Sequence, residues 1–157
     1  MSSTDDDPRP EQLQRWVERV AAFCADEWGL PPITGRILGW LMICHPPEQS
    51  AGEIAATIRA SRASLTSNMR FLTTIGLVRR TRRAGDRTAY YRIEEDAWHK
   101  VIQRKIDSLG AFGDIAEEGL TLVGDGPSAV RIHAAGESVT WLRDIAARHP
   151  LKPPATE

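Results

Sequence analysis

SAGEIAATIRASRASLTSNMRFLTTIGLVRRTRRAGDRTAYYRI, residues Ser50 to Ile93, opens on a helix start signal. In Ser50-Ala51-Gly52-Glu53 the serine hydroxyl can accept the third backbone N–H while the glutamate reaches back to the serine's own N–H, a capping box. Ile54, Ala55 and Ile58 fall on one side, so the spacing predicts a helix over Ala51 to Arg59, with Ala60 closing a tight turn. Ser61 caps a second helix. There Leu65, Met69, Leu72 and Ile75 recur every three or four positions and define a stripe to bury against the first helix, and Gly76 stops the run.

The other side of the second helix carries Arg62, Ser64, Thr66, Ser67, Asn68 and Arg70, compact donors and acceptors with no carboxylate among them. Arg suits guanine and Asn suits adenine at a major-groove edge, while Ser and Thr can hold phosphates. Leu77 to Arg83 and Thr88 to Ile93 follow as two β-prone runs, joined by the turn residues Ala84-Gly85-Asp86-Arg87. Only Leu77, Val78 and Ile93 at its base are apolar, so the arginine-rich end of this hairpin should project toward solvent or a partner. The expected fold class is mainly α with a small β-wing, a winged helix-turn-helix, with long N- and C-terminal helices forming a dimerisation body.

Charge segregation gives the partner. From Arg59 to Arg92 there are nine arginines and one acid, Asp86, a net of +8, whereas residues 1–58 carry −5 and residues 93–157 carry −4. A chain of net charge −1 thus holds a local positive footprint of the kind that double-stranded DNA requires.

With 157 residues, 41% of them hydrophobic, the chain can bury a proper core. Its two cysteines, Cys24 and Cys44, form no CxxC pair, and no secretory signal is evident, so a cytoplasmic location is expected. The longest apolar run, Ile37 to Cys44, is far below the roughly 20 residues that span a bilayer, which excludes a membrane partner.

In chain order, residues 1–10 read as a disordered acidic arm and residues 11–47 as N-terminal helices for dimerisation and core. The first runs from Glu11 to Trp28 with Leu13, Trp16, Val17, Val20, Ala21 and Cys24 on its apolar face. The second spans Ile33 to Cys44 and is apolar nearly all round, with Gly35 and Gly39 as a small-residue notch for close helix packing. Residues 48–94 hold the winged region, where Glu48 to Ser50 can add a third strand. Residues 95–149 carry two C-terminal dimerisation helices divided by Asp125-Gly126-Pro127-Ser128, and residues 150–157 are a tail. The first helix and the last two have longer apolar stripes than one small core can cover, so they should pair with a second copy.

The order of these elements resembles MarR-type regulators and, more narrowly, their GbsR-like branch. The matching stretches are Thr34-Gly35-Arg36-Ile37-Leu38-Gly39-Trp40-Leu41, Pro46-Pro47-Glu48-Gln49-Ser50, Ser61-Arg62-Ala63-Ser64, Gly76-Leu77-Val78 and Gly85-Asp86-Arg87, then Tyr90-Tyr91 and Trp98. The resemblance implies a homodimeric, ligand-responsive transcriptional regulator, usually a repressor. It assigns Ser61, Arg62, Ser64, Thr66, Ser67 and Arg70 to a major groove and Arg87 to a minor groove. Thr88 stands where relatives often carry a second basic wing residue; Arg80, Arg82 and Arg83 can serve as phosphate contacts instead.

Other chemistries find less in the chain. Trp16, Trp28, Trp40 and Trp98 are candidates for an effector site, an aromatic cage around a quaternary ammonium, although tryptophans at helical spacing more often pack in cores. Cys24 would be the thiol of a redox sensor, but Asp26 and Glu27 beside it have the wrong sign to stabilise a thiolate. The histidines show no ligand spacing and no catalytic motif is present, so neither a metal, a cofactor nor enzymatic activity is expected. The rival reading of the basic segment is a winged-helix protein–protein module docking an acidic partner.

Overall fold

A computed structural model describes residues 9–155, which fold into two compact units divided between Glu94 and Glu95. The first contains α1 (Arg9–Trp28), α2 (Pro32–Ile43), β1 (Gln49–Ser50), α3 (Ala51–Ile58), α4 (Arg62–Thr74), β2 (Val78–Arg82) and β3 (Ala89–Ile93). The second contains α5 (Ala97–Val123) and α6 (Pro127–Arg148).

In α1, Val17, Ala21 and Cys24 are buried at spacings of four and three, the face expected from periodicity. They meet α2 at the glycine notch. A Cβ on Gly35 would sit 2.6 Å from the Ala21 Cα, so only glycine allows this approach there, while one on Gly39 would lie 3.3 Å from the Val17 Cα, a tight contact that would press the helices apart slightly. Helix α2 buries Ile37, Leu38 and Leu41 as the central element of the unit. The N-terminal boundary differs from expectation. Arg9 and Pro10 are helical rather than part of an arm, since proline in a first turn has no hydrogen bond to lose, while the rest of the expected arm lies outside the described residues.

Both helix starts in the 50–61 region form as read. Ser50 Oγ accepts the Glu53 N–H at 3.2 Å and Glu53 Oε2 accepts the Ser50 N–H at 2.7 Å; Ser61 Oγ accepts the Ser64 N–H at 3.2 Å. Helix α3 stops one residue earlier than expected. Arg59 turns left-handed at φ 54° and its N–H closes on the Ala55 carbonyl, a conformation that glycine usually supplies. Leu65, Met69 and Leu72 then seat α4 in the core.

The sheet is antiparallel in the order β1-β3-β2, with Val78 opposite Ile93, Arg80 opposite Tyr91 and Arg82 opposite Ala89; Gln49 and Ser50 supply the expected third strand against Tyr91 and Tyr90. In the second unit α5 and α6 run antiparallel, their contact formed by small residues. A Cβ on Gly110 would meet Arg143, one on Gly119 would meet Ile132, and one on Gly136 would meet Ala116. The large side chains are left outward. Phe112 is 46% exposed, Ile115 61% and Trp141 64%.

Candidate nucleic-acid interface

Burying Leu65, Met69 and Leu72 turns Thr66, Ser67 and Arg70 outward, because residues one and two positions away on a 3.6-residue helix face elsewhere, and Arg62 is exposed at the first residue of the helix. Thr66 Oγ1 donates to the Arg62 carbonyl at 2.8 Å and Ser67 Oγ donates to the Ser64 carbonyl at 3.0 Å. With their protons spent on their own helix, these oxygens present lone pairs outward.

Asn68 departs from the expected reading face. Its Oδ1 accepts the hydroxyl of the fully buried Thr34 on α2, and its Nδ2 donates to the Ser64 carbonyl at 2.8 Å. One acceptor and one donor position of this half-buried amide are thus spent inside the protein, which ties Asn68 to the contact between α2 and α4. Sequence could not show this, because Thr34 lies 34 residues away.

The wing stands beside this helix. Strand pairing puts Arg80 and Tyr91 on the same face of the hairpin, and with Thr66, Arg70, Thr73 and Thr74 they line a cleft of about 340 Å³ between α4 and the sheet. Arg70 from the helix and Arg80 from the strand therefore border one groove. Arg62, Arg70, Arg80, Arg82 and Arg87 are all exposed and have no acidic partner among the described residues. Arg79 is different: Glu94 takes it bidentately at 2.8 and 2.9 Å, which removes one positive charge from the footprint.

The wing tip is built from side chains. The turn closes with the Asp86 N–H on the Arg83 carbonyl at 3.1 Å and Gly85 at φ 78°. Asp86 accepts the Thr88 N–H at 2.8 Å and the Tyr90 hydroxyl at 2.9 Å, bonds that hold its carboxyl below the usual value, the Thr88 N–H contributing most. The same bond raises the Tyr90 phenol. Arg83 lies over the Tyr90 ring, so this expected phosphate contact is also a structural clamp.

The expected effector residues separate. Trp40 lines a cavity of about 500 Å³ between α1, α2 and the end of α3, with Leu13, Val17, Ile58, Arg36 and Arg59 around it. Trp28 instead sets its ring edge against Phe23 at 5.2 Å, and Trp98 belongs to the second unit. Cys24 and Cys44 are both buried, and burial pushes their thiols upward, away from the thiolate a redox sensor needs. No helix among the described residues is long and apolar enough to cross a membrane.

No family model matches the chain. It is similar to the HTH-type transcriptional regulator MmpR5 of Mycobacterium tuberculosis, 32% identical over 115 residues that cover 73% of this chain and 69% of that protein. The fold is similar to a crystal structure described as a transcriptional regulator, with TM-score 0.67 and 27% identity over 87% of this chain and 94% of that one. With helix-turn-helix, wing and relatives in agreement, the chain belongs to the MarR-like family of winged-helix transcriptional regulators and not to an enzyme family.

Proposed function

We propose that this protein is a cytoplasmic, homodimeric repressor that binds an inverted-repeat DNA operator and is released by a small-molecule effector. The observation that carries the reading is the cleft lined by both Arg70 and Arg80, cations of the helix and the wing that have no acidic partner among the described residues. In this reading Ser61, Arg62, Ser64, Thr66, Ser67 and Arg70 enter the major groove. Arg87 enters the minor groove, and Arg80, Arg82 and Arg83 hold phosphates. The outward Phe112, Ile115 and Trp141 of the second unit, together with Phe23 of α1, support pairing with a second copy. Two-fold symmetry would then place two reading heads about 34 Å apart, one DNA turn.

The cavity behind Trp40 supports an effector site of ordinary size, since small-molecule pockets run about 300 to 1,000 Å³. Its charged lining is Arg36, Arg59 and Glu18, with Arg36 held by Glu18 at 2.8 Å and Arg59 unpaired among the described residues. That balance disfavours the quaternary ammonium a GbsR-like branch would suggest. It suits an apolar molecule with an anionic or acceptor group.

Selection of bound fragments from random duplexes, followed by a mobility shift with the selected sequence, tests the reading. A two-fold symmetric consensus bound by a dimer is the expected outcome. Weak, sequence-indifferent retardation would instead favour the protein–protein module.

A further inference from the structure

We propose that the Thr34–Asn68 pair sets the rotation of α4 about its own axis and so determines sequence discrimination, an inference that rests on the DNA-reading assignment of α4. The apolar stripe that seats α4, Leu65, Met69 and Leu72, is fully buried, but apolar contact has no preferred direction. A hydrogen bond does. At 100° per residue Asn68 sits roughly 60° to one side of Leu65, at the edge of the stripe, where a tether resists rolling better than one at its centre. A roll of about 15° would carry a side-chain head about 6 Å from the helix axis through roughly 1.5 Å. A recognition constellation tolerates about 0.5 Å.

The tether has a fixed far end. Thr34 is 0% exposed in the first turn of α2, and its neighbour Gly35 is pressed so closely on Ala21 that an added Cβ would lie 2.6 Å from backbone. Thr34 therefore cannot shift unless α1 moves with it. On the near side the Asn68 amide is held flat by its second bond, from Nδ2 to the Ser64 carbonyl. The path α1, α2, Thr34, Asn68, α4 is a strut from the N-terminal helix pair to the reading helix.

The test separates rotation from stability. In the double variant Thr34→Val with Asn68→Leu both polar partners are replaced by apolar groups of similar shape, a change that is close to neutral for stability. The variant should melt within a few degrees of wild type and bind scrambled duplex with unchanged affinity and salt slope. Its preference for the selected duplex over the scrambled one should fall at least about tenfold. Thr34→Ser, which keeps the hydroxyl, should retain the wild-type preference, and Thr34→Val alone should lose it; this contrast decides the matter if the double variant does not fold. Wild-type preference in the double variant, or in Thr34→Val, overturns the inference while leaving the DNA reading intact. A wild-type protein without preference for any duplex overturns both.

Discussion

The Arg83 guanidinium lies 4.0 Å from the centroid of the Tyr90 ring, while the hydroxyl of that ring donates to Asp86. The wing is thus closed by polar side chains at its tip and by Val78 at its base. Asp86 is held below its ordinary 3.8 by the Thr88 N–H and then by Tyr90. A carboxylate with a depressed folded pKa contributes stability that is present above its unfolded value and lost as pH falls through the folded one. The tip should therefore stay closed at neutral pH and loosen only below 3.8. Tyr90→Phe should raise the Asp86 midpoint in a carboxyl-carbon NMR titration; an unmoved midpoint would remove Tyr90 from the account.

The α1–α2 contact permits a sharper test of packing. Gly35→Ala forces a Cβ to 2.6 Å from the Ala21 Cα, and backbone cannot swing aside as a side chain can. Overpacking of this kind costs about 1 to 3 kcal/mol, occasionally more. Gly52→Ala, where the nearest atom would be Ser50 Oγ at 4.0 Å, should be neutral or stabilising. Equal urea midpoints for the two variants would contradict the close approach.

Arg59 holds a left-handed conformation at φ 54°. That conformation costs a non-glycine residue roughly 1 to 2 kcal/mol, against the roughly 0.5 to 1 that glycine loses in chain entropy. Arg59→Gly should accordingly raise stability by about 0.5 to 1 kcal/mol in chemical denaturation, while removing the unpaired guanidinium from the cavity wall. A loss of stability would mean that the arginine side chain contributes more than the strain it carries.

Arg70 and Arg80 border one cleft but should behave differently on DNA. Arg70→Ala should cost about 1 to 3 kcal/mol on the selected duplex and relax one base position. Arg80→Ala should weaken all duplexes alike and reduce the slope of log affinity against log salt by about 0.9. Arg83→Ala should change that slope less than Arg80→Ala, because Tyr90 already holds its head. Identical salt slopes for wild type and Arg80→Ala would remove Arg80 from the phosphate contacts.

The parts of this fold visible in the sequence are those decided within a few residues. Ser50 and Glu53 are three apart and complete their box whatever surrounds them, and Leu65, Met69 and Leu72 mark their own helix face. The wing likewise followed from its turn residues and strand composition. What escaped depends on distant partners: Asn68 turned inward because Thr34 awaited it, and Arg79 left the cationic surface for Glu94. Arg59 escaped for another reason, since nothing local marks an arginine that will take a glycine's conformation. The helical start at Arg9 carried a usable sign, Pro10 in a first turn, which the acidic run before it outweighed.

Affinity for the selected and a scrambled duplex, measured across a range of salt concentrations, bears most directly on the claim that α4 and the wing read DNA. Arg80, Arg82 and Arg83 on each of two copies make six phosphate contacts, so a dimer should show a log–log salt slope of about −5, and the selected duplex should bind about a thousandfold more tightly than the scrambled one. A ratio near one with a shallow slope would contradict the account.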